Sequence, residues 1–205
     1  MTKEQPGLRE RKKAATREAI TWAALCLAVE RGLENVRVED IAARAGVSPR
    51  TYNNYFSSKA EAIVARHHDR IALAAEELLA RPAEEPLWEA LTHVLIARFE
   101  GATEDPDPEW TSAVRLVLSR PALQAEFARG GAVARTGLAA AVAARTGTDA
   151  TRDLYPRLVA AVALAAVAAA NEQYLAADPV VPYRPLLAAA LRQVAAGLPA
   201  PPPSP

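Results

Sequence analysis

The chain is poor in the residues on which most enzyme chemistry rests. Its 205 residues include one cysteine, Cys26, and three histidines. One cysteine closes no intrachain disulfide and reads as a small buried apolar side chain, which suits a reducing cytoplasm. His67 and His68 adjoin Asp69, so on a helix these side chains diverge and do not clasp one metal ion. No HExxH, CxxC, GxSxG or phosphate-cradling glycine loop occurs. Glu84, Glu85 and the acidic stretch 104–109 read as loop charge. No catalytic residue, metal ligand or cofactor is therefore expected, and an enzyme would have to work with carboxylates alone. Long apolar runs are also scarce. The first 20 residues are charged and carry no secretory signal. The longest uncharged stretch of the second half, Leu158–Asn171, is expected to be too short to span a bilayer.

What the chain has in quantity is alanine, with little of the β-branched alternation that makes strands. That balance predicts an all-α protein. Its net charge of zero hides a split. Residues 1–70 hold 13 basic and 9 acidic side chains, and residues 71–205 hold 11 and 15, giving +4 and −4. All four lysines lie within the first 59 residues. Arg9, Arg11, Lys12, Lys13 and Arg17 form a basic arm, a pattern that points to nucleic acid because clustered cations displace counterions from phosphates.

Behind the arm, Ile20, Ala24, Leu27 and Ala28 make one helical apolar stripe. Residues 36–59, VRVEDIAARAGVSPRTYNNYFSSK, then read as two short helices around a tight turn. Glu39 and Asp40 favour a helix N-terminus. Gly46 stops the first helix in a left-handed conformation. Ser48 and Pro49 start the second as N-cap and first helical residue, and Val47 plugs the core between them. With Arg50, Thr51, Asn53, Asn54 and Tyr55, which follow and are rich in groups that bond phosphates and base edges, Ser48 and Pro49 also belong to the candidate DNA-contact set. The plainer reading is a surface helix pair that binds nothing. The arm and the charge split favour a DNA-reading helix-turn-helix.

These residues resemble the DNA-binding domain of the TetR family of bacterial regulators, over roughly Arg9 to Ala65. GVS, Thr51, the pair Tyr55–Phe56 and Lys59 match the family pattern in order and spacing. The resemblance implies that Thr51, Tyr55 and Lys59 hold phosphates and that Arg50, Asn53 and Asn54 face base edges. Arg37 stands where the family often has a threonine or serine. It further implies a three-helix DNA-binding head joined to a larger helical domain that binds an effector and dimerises. The expected divisions are 1–57 for the head, 58–197 for the body and 198–205 for a Pro-rich disordered tail.

Prolines divide the body. Helices are expected over 58–80, 87–100, 109–119, 122–145, 153–177 and 186–197. Gly130–Gly131 marks a bend, a close contact or a break in the fourth of these. The almost bare run 159–170 reads equally as a buried core helix or a helix–helix interface. The resemblance favours the latter, with a homodimer formed by the last two helices through Ala161, Ala165, Ala168, Tyr174, Leu175, Leu187, Leu191 and Val194. The aromatics Trp88, Phe99, Trp110, Phe127, Tyr155 and Tyr174 are plain core residues one by one. Taken together they suggest an apolar effector pocket, with His93, Asn171 and Gln173 as orienting groups. A weaker likeness to the acyl-CoA-like subgroup suggests a lipid-like or acyl-thioester effector. The whole reads as a dimeric repressor of double-stranded operator DNA, cytoplasmic and without membrane contact. An activator or architectural factor without a ligand, or a carrier or enzyme with a vestigial head, remain alternatives.

Overall fold

The computed structural model describes residues 7–99, 108–177 and 181–198. Among these, nine α-helices and one 3-10 turn account for all regular structure, and no strand occurs. The helices are α1 (Leu8–Arg31), α2 (Val38–Arg44), α3 (Pro49–Asn53), α4 (Lys59–Leu78), α5 (Leu87–Phe99), α6 (Pro108–Leu118), α7 (Pro121–Thr146), α8 (Leu154–Ala176) and α9 (Tyr183–Ala195), with the 3-10 turn at Leu33–Asn35. Most of the acidic loop and all of the tail after Leu198 lie outside the described residues.

Two compact units form, Met1–His67 with Ala113–Gly130 and His68–Ser112 with Gly131–Pro205. The first is larger than the 1–57 head read from the sequence. The reason is apolar burial: Ile63, Val64, Val117 and Leu123 join Ile20, Ala24, Leu27, Ile41, Tyr52 and Phe56 in one cluster. The stripe on α1 is buried as expected, with Ile20, Ala24 and Ala28 at 0% exposure. Cys26 is buried in the same helix, and desolvation raises its thiol pKa, which keeps it protonated and inert.

The second unit packs α5, α8, α9 and parts of α4 and α7 around Leu78, Leu91, Leu95, Leu138, Val142, Val167, Leu187 and Leu191. Arg145 closes one end of this unit. Its guanidinium donates to the carbonyls of Leu78 (3.4 Å), Arg81 (3.1 Å), Glu85 (2.7 Å) and Pro82, so one side chain satisfies the end of α4 and the turn into α5. Helix α7 runs unbroken through Gly130–Gly131. A Cβ at Gly131 would meet nothing within 4 Å, so no close helix approach requires that glycine.

The uncharged run 158–171 lies inside α8, which is one residue shorter at each end than the 153–177 read from the sequence. With 23 residues and a mean hydropathy of 1.5 over its best window, α8 is long and apolar enough to cross a membrane by length and composition. It instead turns Pro156, Val159, Ala160, Ala163, Ala166, Val167 and Ala170 into the core. Pro156 falls in its first turn, where a missing N–H costs nothing. Helix α9 starts three residues earlier than expected, at Tyr183, with Pro182 as its N-cap. It ends at Ala195, and beyond its C-cap Gly197 (φ 81°) lets the N–H of Leu198 reach back to the Gln193 carbonyl at 2.8 Å.

Candidate nucleic-acid interface and effector site

The head sets one short helix with unusual care. Arg37 starts α2, and its backbone N–H donates to the Asp40 carboxylate at 3.0 Å. Gly46 ends the turn region with φ 68°, a left-handed conformation that strains any residue with a Cβ. Ser48 then caps α3. Its Oγ accepts the Thr51 N–H at 3.0 Å and lies 2.9 Å from the Thr51 hydroxyl, with Pro49 as the first helical residue.

The five residues of α3 are too few to hold a helix alone; the underside supplies the stability. Tyr52 is fully buried, and its hydroxyl donates to the Ser58 carbonyl at 3.0 Å. Phe56 is buried one turn on, its ring 5.9 Å from that of Tyr52, and the Arg17 guanidinium lies over the Phe56 ring, 4.5 Å from its centroid. Burial pushes the Tyr52 phenol pKa up to about 12, with the nearby Glu61 charge adding to the rise. Ser58 caps α4 by accepting the Glu61 N–H at 3.0 Å, while the Glu61 carboxylate accepts the Ser57 N–H at 2.7 Å. Desolvation works against the charged form of Glu61, but the Ser57 hydrogen bonds outweigh it and hold the carboxyl below its ordinary range.

With Tyr52 and Phe56 turned inward, Arg50, Asn53 and Asn54 are left exposed on the opposite side. Thr51 and Tyr55 are half-buried between the two faces. Arg9, Arg11, Lys12 and Lys13 are exposed and helical, in the first turns of α1. Arg9, Lys12 and Lys13 share one face by their i, i+3, i+4 spacing. Arg37 is exposed at the start of α2.

Two members of the expected contact set have internal tasks. Ser48 uses its oxygen as a cap. Lys59 donates through Nζ to the carbonyls of Leu33 (2.6 Å), Val36 (2.9 Å) and Glu34 (3.5 Å), closing the 3-10 turn onto the start of α4. An ammonium has three donors, and here all three face the protein's own backbone. Sequence reasoning missed Tyr52 as the anchor of α3. Its i, i+4 spacing with Phe56 carried the signal.

The structure disperses the aromatic set. Phe127 packs against the first unit's core and meets His67 edge-on at 5.6 Å. Tyr155 is half-exposed on α8 and Phe99 is buried. Trp110 and Asn171 are both half-buried, on α6 and α8. Tyr174 packs edge-on against Tyr183, a residue the sequence reading had not singled out. Only Trp88 and His93 of the set line the groove of about 520 Å³ between α5 and α9, with Glu85, Glu89, Thr92, Ile96, Arg184 and Arg192. A periodic pattern places an aromatic on a helix face; it does not say which neighbour that face meets.

The expected interface residues divide as well. Leu187 and Leu191 are fully buried in the second unit's own core, because α9 turns that stripe toward α5 and α8. Tyr174 and Val194 pack against the same core from its edge. On α8, Ala165 and Ala168 are exposed and Ala161 half-buried. Leu175 is half-buried near its end.

A helix-turn-helix held from beneath, with a polar outer helix and a basic approach, defines a DNA-binding transcriptional regulator. The chain belongs to the TetR family: residues 20–65 match the family of bacterial regulatory proteins of the tetR family, and residues 85–199 match the MftR C-terminal domain. It is 36% identical over 181 residues to the HTH-type transcriptional regulator TcmR of Streptomyces glaucescens, covering 84% of this chain and 79% of that one. Solved structures share the fold. A TetR-family regulator from Rhodococcus superposes with a TM-score of 0.55 at 26% identity, covering 89% of this chain and 98% of that one. SmeT in complex with triclosan gives 0.59 at 22% identity (93% and 100% covered). Thermus thermophilus FadR in complex with lauroyl-CoA gives 0.54 at 22% identity (92% and 100% covered).

Proposed function

We propose that this regulator is a dimeric repressor that leaves a palindromic operator when a small apolar effector binds its second unit. The observation that carries the DNA-reading half is the two-sidedness of α3: Tyr52 and Phe56 fix it from beneath while Arg50, Asn53 and Asn54 are presented outward. Those three read base edges, and Thr51, Tyr55, Arg37 and the basic arm hold phosphates.

The dimer reading is supported by a seam on α8. Leu154, Leu158, Ala161, Ala165 and Ala168 recur at alternating steps of four and three, and none of them is buried. That is the spacing of a helix facing another helix. It replaces Leu187 and Leu191 as the apolar contribution to a two-fold interface. Two heads about one turn of DNA apart, ~34–36 Å, would read both halves of a palindrome. The effector reading is supported by the family of the second unit and by two fold relatives, SmeT solved with triclosan and Thermus thermophilus FadR solved with lauroyl-CoA. The ligand acts only as far as it prefers one conformation of the dimer over another.

The test is selection of duplexes from a random pool, followed by titration at several salt concentrations. A palindromic site bound about a thousandfold more tightly than random DNA is expected. Equal affinity for both would end this reading. Sedimentation of the chain with Leu158→Glu should show monomers where the parent gives dimers.

A further inference from the structure

Among the described residues, two buried side-chain oxygens have no hydrogen-bond partner, Thr111 Oγ1 and Tyr183 Oη. Tyr183 is the more demanding. It opens α9 and is 4% exposed inside the second unit. Its ring is tilted against Phe99 at 6.0 Å and meets Tyr174 edge-on at 5.5 Å. The Arg70 guanidinium lies 5.4 Å over the Phe99 ring. Burial drives the Tyr183 phenol pKa well up, against a smaller opposing pull from Arg70, so the group stays a neutral O–H donor.

A buried hydroxyl without a partner lowers the stability of the fold that holds it, whereas phenylalanine fills nearly the same space without that loss. Packing therefore accounts for the ring of Tyr183 and not for its oxygen. The ring sits in an aromatic setting and the Arg70 cation acts on its phenol, a combination that suits an apolar molecule with a negative acceptor. The two helices that carry Phe99 and Tyr183 also flank an opening. Arg184, the next residue, and Ile96, one turn before Phe99, both line the α5–α9 groove.

We propose that Tyr183 donates its hydrogen bond to a carboxylate oxygen of an apolar effector that enters at the α5–α9 seam. The proposal rests on the reading of the second unit as an effector receptor and adds the polar anchor and the ligand's chemical class. A phenol is a donor at any physiological pH, and a carboxylate offers it two acceptor oxygens. Charge-assisted hydrogen bonds of this kind are the stronger ones, and the Arg70 cation favours the same ligand charge.

Two amphiphiles of equal chain length separate the possibilities: dodecanoate, which carries the acceptor, and dodecyltrimethylammonium, which carries a cation and no acceptor. Both are titrated calorimetrically, below their micelle concentrations, into the parent chain and into Tyr183→Phe. The parent should prefer dodecanoate. Tyr183→Phe should lose roughly tenfold in dodecanoate affinity, the worth of one hydrogen bond to a charged group, and leave the cation's binding unchanged. The unliganded variant should melt at the same temperature or higher. Unchanged dodecanoate affinity overturns the proposal while leaving the receptor reading intact. A lower melting temperature with affinity retained overturns it too, since the hydroxyl then serves the fold, for example through an internal water. If neither amphiphile binds the parent, the receptor reading fails for apolar effectors and the proposal falls with it.

Discussion

The two units of this protein solve the helix-packing problem with different materials. In the first, short helices are held by specific polar contacts: a serine cap on α3, a serine cap on α4, a buried tyrosine hydroxyl on a carbonyl, and a lysine closing a 3-10 turn. In the second, helices of 13 to 23 residues pack alanine, valine and leucine, and Arg145 alone donates to several backbone carbonyls. A helix of five residues needs its ends and underside defined, because it has too few turns to gain stability from length. A helix of 23 residues such as α8 does not. Single polar substitutions should therefore be felt acutely in the first unit, and apolar volume should matter more in the second.

The sharpest way to break this contrast is Tyr52→Ala. It removes a fully buried ring and the hydroxyl bond to Ser58 together. A loss of about 3–5 kcal/mol is expected from the ring alone, with DNA binding abolished because α3 loses its anchor. Tyr52→Phe isolates the bond and should cost only about 1 kcal/mol. The pH dependence has a definite sign. A phenol whose folded pKa is raised from 10.0 to about 12 adds stability below pH 10 that fades as pH climbs through 12. Melting curves between pH 9 and 11 should show the parent declining more steeply than Tyr52→Phe. Equal slopes would mean that the hydroxyl is not buried in solution.

Arg145→Ala probes the exception in the second unit. It strips donors from four carbonyls at once, and because the site is only partly buried, water replaces some of them. A loss of about 2–3 kcal/mol is expected, with faster hydrogen exchange confined to residues 78–86. Arg145→Lys should recover little, since an ammonium lacks the forked geometry that spans four acceptors. Exchange unchanged at those residues would show that the turn into α5 is held by its own backbone.

The same contrast decides what could be read from the sequence. The caps and the turn of the first unit are local chemistry. Gly46, Ser48 and Pro49 each have one dominant conformational use, and the structure employs each in that use. Tyr52 is masked by the outward polar groups around it, although its spacing to Phe56 marks an inward face. The second unit gave less away. On α8 nearly every face is apolar, so periodicity cannot say which side meets the core and which meets a partner. On α9, Leu187 and Leu191, which the resemblance places at a partner, lie in the core instead. Phe127, expected in the effector pocket, packs in the first unit because α7 is divided between the two. Tyr183 could not be found by pattern at all. An oxygen without a partner is a property of three dimensions.

A smaller effect bears on Lys59, whose two readings make opposite predictions. As a phosphate contact, Lys59→Met should lower the salt slope of DNA binding by about 1 and leave the melting temperature alone. As a brace on Leu33, Glu34 and Val36, it should lower the stability of the first unit by about 1–2 kcal/mol, weaken all DNA binding indirectly, and leave the salt slope unchanged. The geometry favours the second outcome. A reduced slope with an unchanged melting temperature would mean that DNA draws Lys59 off its carbonyls.

The smallest expected effect is a gain. Gly131 lies inside α7, away from either end, and a methyl group there would meet nothing within 4 Å. A helical glycine with room for a Cβ has only its entropic disadvantage, so Gly131→Ala should stabilise the protein by about 0.4–1 kcal/mol. The substitution adds no contact and removes none, which makes it a test of propensity alone in a helix otherwise governed by apolar packing. A neutral or destabilising result would show that α7 needs the glycine to flex. The segment around residue 131 would then be a hinge, and the effector response should weaken in the alanine variant even as its ground state remains folded.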